Sequence, residues 1–544
     1  MKTVTSHILI ILFLLVRAVT VLPAGAAENP TPDAARSPAL LRMALDATAI
    51  GTLDPHFAAA TEDRALVDMI FNGLVRYRPG NISSFEPDLA ESLPASQIEG
   101  EKQSWTFRLR KGVLFHPHPD WGACELTAED VVYSLRKSSD PGRSAYAGEY
   151  TGMSFEKLDR YTVRIVLDRP LSMNLFLPKV CNYAGGFIVS RKAVESLGDK
   201  AFGHRPLGTG PFVFERCDPG KEVLLSANGS YFRGRPRLDA VRVLFRPDLQ
   251  ERERGLIDGK WDVITGSFES GWLERMSGVK DVAVDVFGVG EVITIHFNTS
   301  RKPLDDIRVR RAIAHALNRE EFLKVFGHRV CGNVYSPVPA AFLPGGLTEQ
   351  EVRRLGLDYP ADPAKAGELL AEAGYPAGFS LEVVASERRE YLDNYQSLKR
   401  QLEKVGIRVL IKVVDHSTMH KLIRRDVNPI VVYVAWRPNA DVYLSRFFHS
   451  DSIVGKGARP DTNFSHYDRI DRLIEAARLE VNTEKQIRLW KHAQIKILED
   501  MAALPLHYHN LVYGRRADLE YGHELVSTMA LYPQITEKTR IRRD

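Results

Sequence analysis

The 544-residue chain has little cysteine and no excess of charge of one sign. Its 4 cysteines include no Cys-x-x-Cys spacing, which argues against redox catalysis and against a zinc knuckle. The 73 basic and 69 acidic residues are interleaved along the chain and leave a net charge of +4. A protein that binds nucleic acid usually carries a basic patch, so we expect no nucleic-acid partner.

Long hydrophobic runs and catalytic motifs are also missing. Beyond the N-terminal region, no segment is long or apolar enough to cross a membrane. The chain contains no G-x-S-x-G or H-E-x-x-H pattern and no acid pair fixed by spacing. We therefore expect a protein that is not an enzyme and needs no cofactor, with an exported hydrolase as the alternative from another functional class.

The N-terminus has the pattern of a secretory signal. Lys2 precedes an apolar run at residues 8–16, and small residues follow at 24–27. The run is too short to span a bilayer, so we predict a cleaved signal peptide over residues 1–27. Because the charged Arg17 directly follows the apolar run, an uncleaved N-terminal anchor is the alternative. No cysteine lies near the cleavage site, so no lipoprotein anchor is expected and the mature protein should be free in a periplasm.

The length of the chain predicts more than one lobe, because 544 residues exceed one ordinary core. Residues 28–40 are rich in proline, alanine and polar residues and are predicted to form a flexible leader. After them, short strands alternate with short helices, which indicates an α/β protein. In an exported protein the four cysteines could form one or two disulfides, or they could remain as buried thiols. The sequence does not show which would pair. The four are Cys124, Cys181, Cys217 and Cys331.

Several elements are predicted from periodicity and capping. Thr127 and Asp130 have the spacing of a capping box at the start of a helix, and Asp305 or Asp306 can cap a helix running to about Phe326. Alternating or apolar runs predict strands at residues 41–45, 105–109, 292–298 and 430–435. Further helices are predicted at residues 362–373, 396–405, 469–478 and 484–499.

One stretch, residues 105–116, resembles the signature of the family 5 extracellular solute-binding proteins of ABC importers, which include dipeptide- and oligopeptide-binding proteins. Other segments resemble the same family in the same order, so that the resemblance covers roughly residues 41–520. These segments are residues 89–92, 127–135, 208–212, 228–232, 298–319, 362–366, 371–375, 406–409, 463–467 and 503–506.

The resemblance implies a type II periplasmic-binding-protein architecture. Two α/β lobes would be joined by two crossing strands at a hinge and would enclose the ligand between them. We place the first lobe at residues 41–290 plus 505–544 and the second at 291–504, with Pro505 opening a strand that returns to the first lobe. The implied function is that of a monomer that delivers a peptide or peptide-like small solute to permease subunits in the inner membrane. A carrier of a metal chelate or another non-peptide solute is the alternative.

The best candidate ligand site follows the apolar run 430–435. Its residues are Trp436, Arg437, Asn439 and Asp441, placed where ligands of open α/β sheets tend to lie. In peptide-binding relatives an acid of the matching loop binds the ligand's amino terminus. Asn439 stands where one of two such acids would be, and a neutral amide cannot supply that charge-assisted bond. The alternative is a plain loop with a packing tryptophan.

Two further groups are candidates for ligands. Arg388 and Arg389 follow a strand-like run, where dipeptide-binding relatives carry an arginine that clamps a carboxylate; solvated surface arginines are the alternative. The pairs His116 with His118 and His507 with His509 occupy alternate positions, so each could present two nitrogens on one side of a strand. Two nitrogens make a poor site without a third ligand, so we predict no metal site.

Overall fold

The computed structural model describes residues 39–288 and 290–542, apart from the side chains of Ala184 and Ser270. The signal peptide predicted at residues 1–27, and the leader predicted at residues 28–40 up to residue 38, lie outside the described residues.

The first part of the chain is rich in strands. They are β1 Leu40–Leu45, β2 Val75–Arg78, β3 Asn81–Pro87, β4 Ala95–Glu99, β5 Lys102–Arg108, β6 Met153–Lys157, β7 Thr162–Leu167, β8 Phe212–Asp218, β9 Glu222–Ala227, β10 Ala240–Phe245, β11 Val263–Thr265 and β12 Val282–Phe287. The helices between them are α1 Thr61–Ile70, α2 Ala128–Ser139, α3 Met173–Phe176, α4 Arg191–Leu197, α5 Asp199–Phe202, α6 Leu249–Ile257 and α7 Ser270–Ser277.

The second part carries longer helices. Its strands are β13 Val292–Phe297, β14 Cys331–Asn333, β15 Phe379–Ser386, β16 Ile407–Val414, β17 Ile430–Ala435, β18 Ala503–His509, β19 Leu511–Arg516, β20 Leu519–Glu520 and β21 Arg540–Ile541. Its helices are α8 Ile307–Ala316, α9 Arg319–Phe326, α10 Glu349–Arg354, α11 Pro363–Glu372, α12 Arg389–Glu403, α13 His416–Ile423, α14 Ala440–Phe448, α15 Asp471–Leu479 and α16 Thr483–Glu499.

The strands form separate sheets. A seven-stranded sheet has the order β12-β19-β11-β1-β10-β9-β8, with β1 parallel to β10 and β11 and antiparallel pairing elsewhere. An antiparallel four-stranded sheet has the order β14-β18-β13-β17, and another has the order β4-β5-β7-β6. Strands β15 and β16 form a parallel pair. The α/β fold class is confirmed.

Local sequence patterns account for most of these elements. In β5 the apolar side chains of Trp105 and Phe107 are buried and the polar ones between them are exposed or half-buried, as the alternation predicts. The capping box at α2 is present, since the backbone and hydroxyl of Thr127 both donate to the Asp130 carboxylate at 3.0 and 3.1 Å. Strands β13 and β17 are buried along their whole length, so they lie at the centre of the second part.

Two helix predictions had the wrong bounds. The helix predicted from Asp306 to Phe326 is two helices, because Leu317 leaves the helical conformation and Asn318 caps α9 by accepting from the backbone N–H of Glu320. The helix predicted at residues 396–405 is α12, which begins seven residues earlier at Arg389 and ends at Glu403; charged residues flank Tyr391 and Leu392 at its start.

The chain returns to the seven-stranded sheet a few residues after Pro505. Strand β18, which contains Pro505, pairs with β13, with a bulge at the position where proline cannot donate a hydrogen bond. The next strand, β19, pairs with β11 and β12 of the seven-stranded sheet. The chain therefore crosses at Asn510 and, on the way out, between β12 and β13.

The crossing segments approach each other very closely. A Cβ atom added to Gly290 would lie 1.0 Å from the carbonyl oxygen of His509, so no side chain fits at this position. Elsewhere, all four cysteines are free thiols, which leaves no disulfide to pair. Among the described residues, no helix has the length and hydrophobicity that a bilayer span requires.

Candidate functional site

A cavity of about 470 Å³ lies between the seven-stranded sheet and the four-stranded sheet that contains β13 and β17. It extends along the crossing segments, since Gly290, Glu291 and Asn510 all line it. The other lining residues are Leu45, Asp46, Thr61, Glu62, Ala65, Thr265, Gly266, Phe268, Trp436, Leu511, Val512, Tyr513, Leu531 and Tyr532. This volume is typical of small-molecule sites.

The topology explains why the cavity is here. Strands β1 and β11 are parallel neighbours, and Asp46 and Thr265 stand at their carboxyl ends, where open α/β sheets leave a crevice. On the opposite side, β17 ends at Ala435 and delivers Trp436 to the cavity wall. Trp436, a site residue predicted from the sequence, therefore lies in the cavity wall.

Among the acids that line the cavity, Glu291 has a strongly shifted pKa. Its side chain has no hydrogen-bond or ion-pair partner among the described residues, and it faces the cavity at the start of β13. Glu291 is exposed on the cavity wall, and desolvation by the surrounding protein, reinforced by Glu390, raises its pKa to about 6, while Arg388 and Arg437 oppose the shift. An acid in this state gains from any cation that enters the cavity.

Two predicted arginines are close enough to Glu291 to affect its charge. Arg388 lies at the N-terminus of α12, is exposed, and donates its backbone N–H to the Ser386 hydroxyl at 3.1 Å. Its guanidinium has no partner within the described ranges. Arg437 donates to the Trp436 carbonyl at 2.8 Å and lies over the Phe447 ring, 4.8 Å from its centroid. Both guanidinium groups could donate hydrogen bonds to a carboxylate of a ligand.

Unpaired polar atoms gather at the end of β17. The Trp436 indole nitrogen, the Arg437 Nε atom and the Tyr443 hydroxyl are buried and have no hydrogen-bond partner among the described residues. The Trp436 and Tyr443 rings meet edge to face with centroids 6.0 Å apart. Buried polar groups are usually hydrogen-bonded, and of these three residues Trp436 lines the 470 Å³ cavity, where a ligand could supply the missing partner.

Asn439 and Asp441 have partners within the protein. The Asn439 side chain caps α14 by accepting from the backbone N–H of Val442 at 2.9 Å. Asp441 pairs with Arg478 at 3.3 Å; burial raises the pKa of this carboxyl and Arg478 opposes the shift. Neither residue lines the 470 Å³ cavity; Asn439 instead lines a smaller one of about 160 Å³ beside Pro438.

Arg389 is also engaged, in contacts to Glu269 and Asp393. Glu269 lies just before α7, and Asp393 lies one turn along α12. Of the six residues predicted for the site, the structure therefore brings Trp436, Arg437 and Arg388 to the surroundings of Glu291. It gives the other three structural partners.

The two histidine pairs differ. His116 is buried and its ring hydrogen-bonds to the Gly210 carbonyl at 3.0 Å, whereas His118 stacks on Trp121, so these two do not share a site. His507 and His509 are both buried on β18, with ring centroids 4.9 Å apart.

Sequence reasoning missed Glu291. The only signal for it is an acid immediately before an all-apolar strand at a predicted lobe boundary, and such an acid is ordinarily a solvated loop residue. The cavity whose wall it joins is built by segments far apart in sequence.

Comparison with known proteins agrees with this geometry. Residues 84–454 match the family described as bacterial extracellular solute-binding proteins, family 5, middle region. The chain is 28% identical to di/tripeptide-binding protein 2 of Pseudomonas aeruginosa UCBPP-PA14, over 84% of the chain and 87% of the relative. It is 27% identical to heme-binding protein A of Haemophilus influenzae, over 82% and 83% respectively.

A solved structure is also similar. The binding protein MoaA from A. tumefacien R10, in complex with mannopinic acid, is 38% identical, with a TM-score of 0.74 over 93% of this chain and 100% of MoaA. The fold and the cavity between the sheets define a type II periplasmic binding protein. The chain belongs to the family 5 bacterial extracellular solute-binding proteins. This family consists of solute-binding proteins of ABC importers and not of enzymes.

Proposed function

We propose that the protein captures a small solute carrying both an ammonium and a carboxylate group in the 470 Å³ cavity, and delivers it to a permease. The observation that carries this proposal is Glu291, exposed on the cavity wall without a partner among the described residues, with Arg388, whose guanidinium is also unpaired, close by. A lone acid and a lone arginine complement the two ends of an amino acid or a short peptide.

Two lobes would close on this ligand. We propose that the seven-stranded sheet belongs to one lobe and the β14-β18-β13-β17 sheet to the other, with the crossing segments as the hinge. This assignment keeps the lobes predicted at residues 41–290 plus 505–544 and 291–504, except that the chain re-enters the first lobe at Asn510. A solute that contacts Glu291 on one side and Asp46 or Glu62 on the other would favour the closed form.

The relatives favour two ligand classes. A di/tripeptide-binding relative supports a short peptide, and the cavity size suits a small solute better than a long chain. The MoaA complex, at 38% identity, makes mannopinic acid the second candidate. The heme-binding relative keeps a metal chelate as a third class to include in the assay.

Isothermal titration calorimetry on ligand-stripped protein tests the proposal. Dipeptides, tripeptides, mannopinic acid and heme would be titrated in turn, after native mass spectrometry of freshly purified protein for a co-purifying compound. We expect one ligand per chain, bound at least tenfold more weakly by Glu291→Gln or Arg388→Ala. Arg400→Ala, an exposed arginine on the same helix, serves as the matched control and should bind normally.

Two results would contradict the proposal. One is the absence of binding by a folded protein across the panel. The other is unchanged affinity in both Glu291→Gln and Arg388→Ala, which would remove the cavity acid and its arginine from the site.

The remaining features are proposed on the same basis. We propose that the protein is exported by its signal sequence, acts as a monomer in the periplasm, binds no nucleic acid and releases its ligand unchanged to inner-membrane permease subunits. Mass analysis of the ligand recovered after prolonged incubation tests the last point, since any conversion would show an enzyme.

A further inference from the structure

Three potential metal ligands meet outside the solute site. Cys331 lies on β14 and His507 and His509 lie on β18, and one ligand atom from each falls within 4.8 Å of the others. All three residues are buried, and the proposed solute site uses none of them.

The strand register places these side chains on one face. Cys331 pairs with His509 and Asn333 pairs with His507 in an antiparallel ladder. Directly opposed residues share a face with Cβ atoms about 4.5–5.5 Å apart, and residues two apart on one strand also share a face. The cluster is therefore fixed by backbone pairing as well as by side-chain orientation.

A neighbouring amide fixes the protonation of His507. The Asn394 amide nitrogen donates to the Glu390 carbonyl at 2.7 Å, which leaves its oxygen to face His507 Nε2 at 2.9 Å. An amide oxygen only accepts, so Nε2 carries the proton and Nδ1 carries a free lone pair. Metal-binding histidines are typically held in this way by a carbonyl on the other nitrogen.

The free nitrogens lack partners. His507 Nδ1 and His509 Nε2 are buried without a hydrogen bond among the described residues, and so is the Asn333 amide oxygen on the same face. The rings of Phe268 and Phe326 pack on His509 at 5.4 and 4.4 Å between centroids. Leaving several polar atoms unpaired in an apolar setting is costly, and a bound cation would satisfy them together.

We propose that Cys331, His507 and His509 bind a transition-metal ion, Zn²⁺ or Cu⁺. One thiolate and two imidazoles form a donor set that suits these ions. The Cys331 sulfur would exchange its proton for the metal, releasing that proton to solvent, and the Asn333 oxygen is placed to act as a weak fourth ligand. Closing on zinc would bring the ligand atoms to about 3.3–3.7 Å from one another, a small side-chain adjustment.

The metal has a route from the solute cavity. Phe268 lines that cavity and stacks on His509, so a movement of this one ring would open the cluster. The site also lies directly before the crossing at Asn510. It does not depend on the proposed solute, because no residue is shared.

The test uses the full chain after removal of metal with a chelator. Titration with Zn²⁺, with Co²⁺ as a coloured probe, and with Cu⁺ against a competing chelator should each be followed to saturation. We expect one ion per chain and, for Co²⁺, a thiolate-to-metal charge-transfer band. Cys331→Ser should abolish the band, and His509→Asn should weaken binding at least tenfold.

Matched controls isolate the cluster. Cys217→Ser and Cys124→Ser remove half-buried thiols away from the histidines and should bind metal normally. Asn394→Ala removes only the positioning amide, and a tenfold to hundredfold weaker affinity is expected, about the usual effect of such partners. Rescue by Asn394→Gln would show positioning and not mere stability.

If the cluster variants fail to fold, a second measurement can be made on a protein that keeps all three proposed metal ligands. In a Cys124→Ser, Cys181→Ser, Cys217→Ser protein, Zn²⁺ should protect Cys331 from thiol reagents and raise the melting temperature with metal concentration. Binding of Cu⁺ alone would support the site and assign copper. The absence of stoichiometric binding by all three ions, or binding unchanged in Cys331→Ser and His509→Asn, would overturn the proposal.

Discussion

Arg389 and Glu269 form an ion pair between α12, in the second part of the chain, and the segment preceding α7, in the first part. Asp393 holds the same guanidinium at 3.1 Å, four residues along the helix. Both partners of the Arg389–Glu269 pair are about half exposed, at 53% and 54% of the side-chain surface. The pair therefore links the two parts of the chain and contributes little to the free energy of unfolding.

The first prediction concerns this link. Exposed ion pairs are worth less than about 1 kcal/mol, so Arg389→Ala should weaken solute binding by no more than about fivefold. Calorimetry at low and high salt measures the effect, which should vanish in high salt. Glu269→Gln should give the same loss, and the double variant no further loss; additive losses would show that the residues act separately.

The second prediction is a pH dependence of solute binding. The pKa of free Glu291 is raised to about 6, so the group becomes neutral as pH falls through that value. If its charge binds the solute ammonium, affinity should be full above about pH 7 and fall steadily below about pH 6. Glu390, Arg388, Arg437, Asp46 and Glu62 are the other charged groups around the cavity.

The control for this pH profile is Glu291→Gln, which should bind weakly at every pH and show a flat profile between pH 5 and 7. Glu274→Gln, an exposed acid on α7, should keep the wild-type profile. A profile in Glu291→Gln with the wild-type slope would assign the dependence to another group.

The third prediction separates Asp441 from the solute. Asp441→Asn removes a partly buried charge that pairs with Arg478, which in turn donates to Ser445 at 2.6 Å. We expect the free energy of unfolding to change by less than about 1 kcal/mol, because the burial that raises the pKa of Asp441 offsets its pairing with Arg478, and affinity to stay unchanged within twofold. Urea unfolding and calorimetry measure the two quantities. A large loss of affinity without destabilisation would return Asp441 to the ligand site, as predicted from sequence.

The fourth prediction concerns the hinge. Gly290→Ala places a methyl group in the His509 carbonyl, and the crossing segments cannot separate without breaking their sheets. We expect destabilisation of at least about 3 kcal/mol or failure to fold. Gly271→Ala adds the same methyl group in α7, where nothing lies within 4 Å, and should be neutral or stabilising. Normal stability of Gly290→Ala would show that the crossing is looser than described.

Local patterns predicted most elements because they depend on neighbours in the chain. The alternation at Trp105 and the box at Thr127 each form with partners a few residues away or on an adjacent strand. Errors arose at the start of α12, which lies seven residues before its predicted start, and at the single long helix predicted to Phe326, which Asn318 divides by capping α9.

The amino-acid sequence by itself determined the α/β class, the family and the strand that presents Trp436, because each depends on residue types in a fixed order. Only the tertiary structure decided which charges remain free. Asp441 meets Arg478 and Arg389 meets Glu269, partners that no spacing reveals, whereas Glu291 finds none among the described residues. Likewise, Cys331 meets His507 and His509 because β14 and β18 pair in the sheet. More than 170 residues separate them in the chain, so the sequence does not indicate this contact.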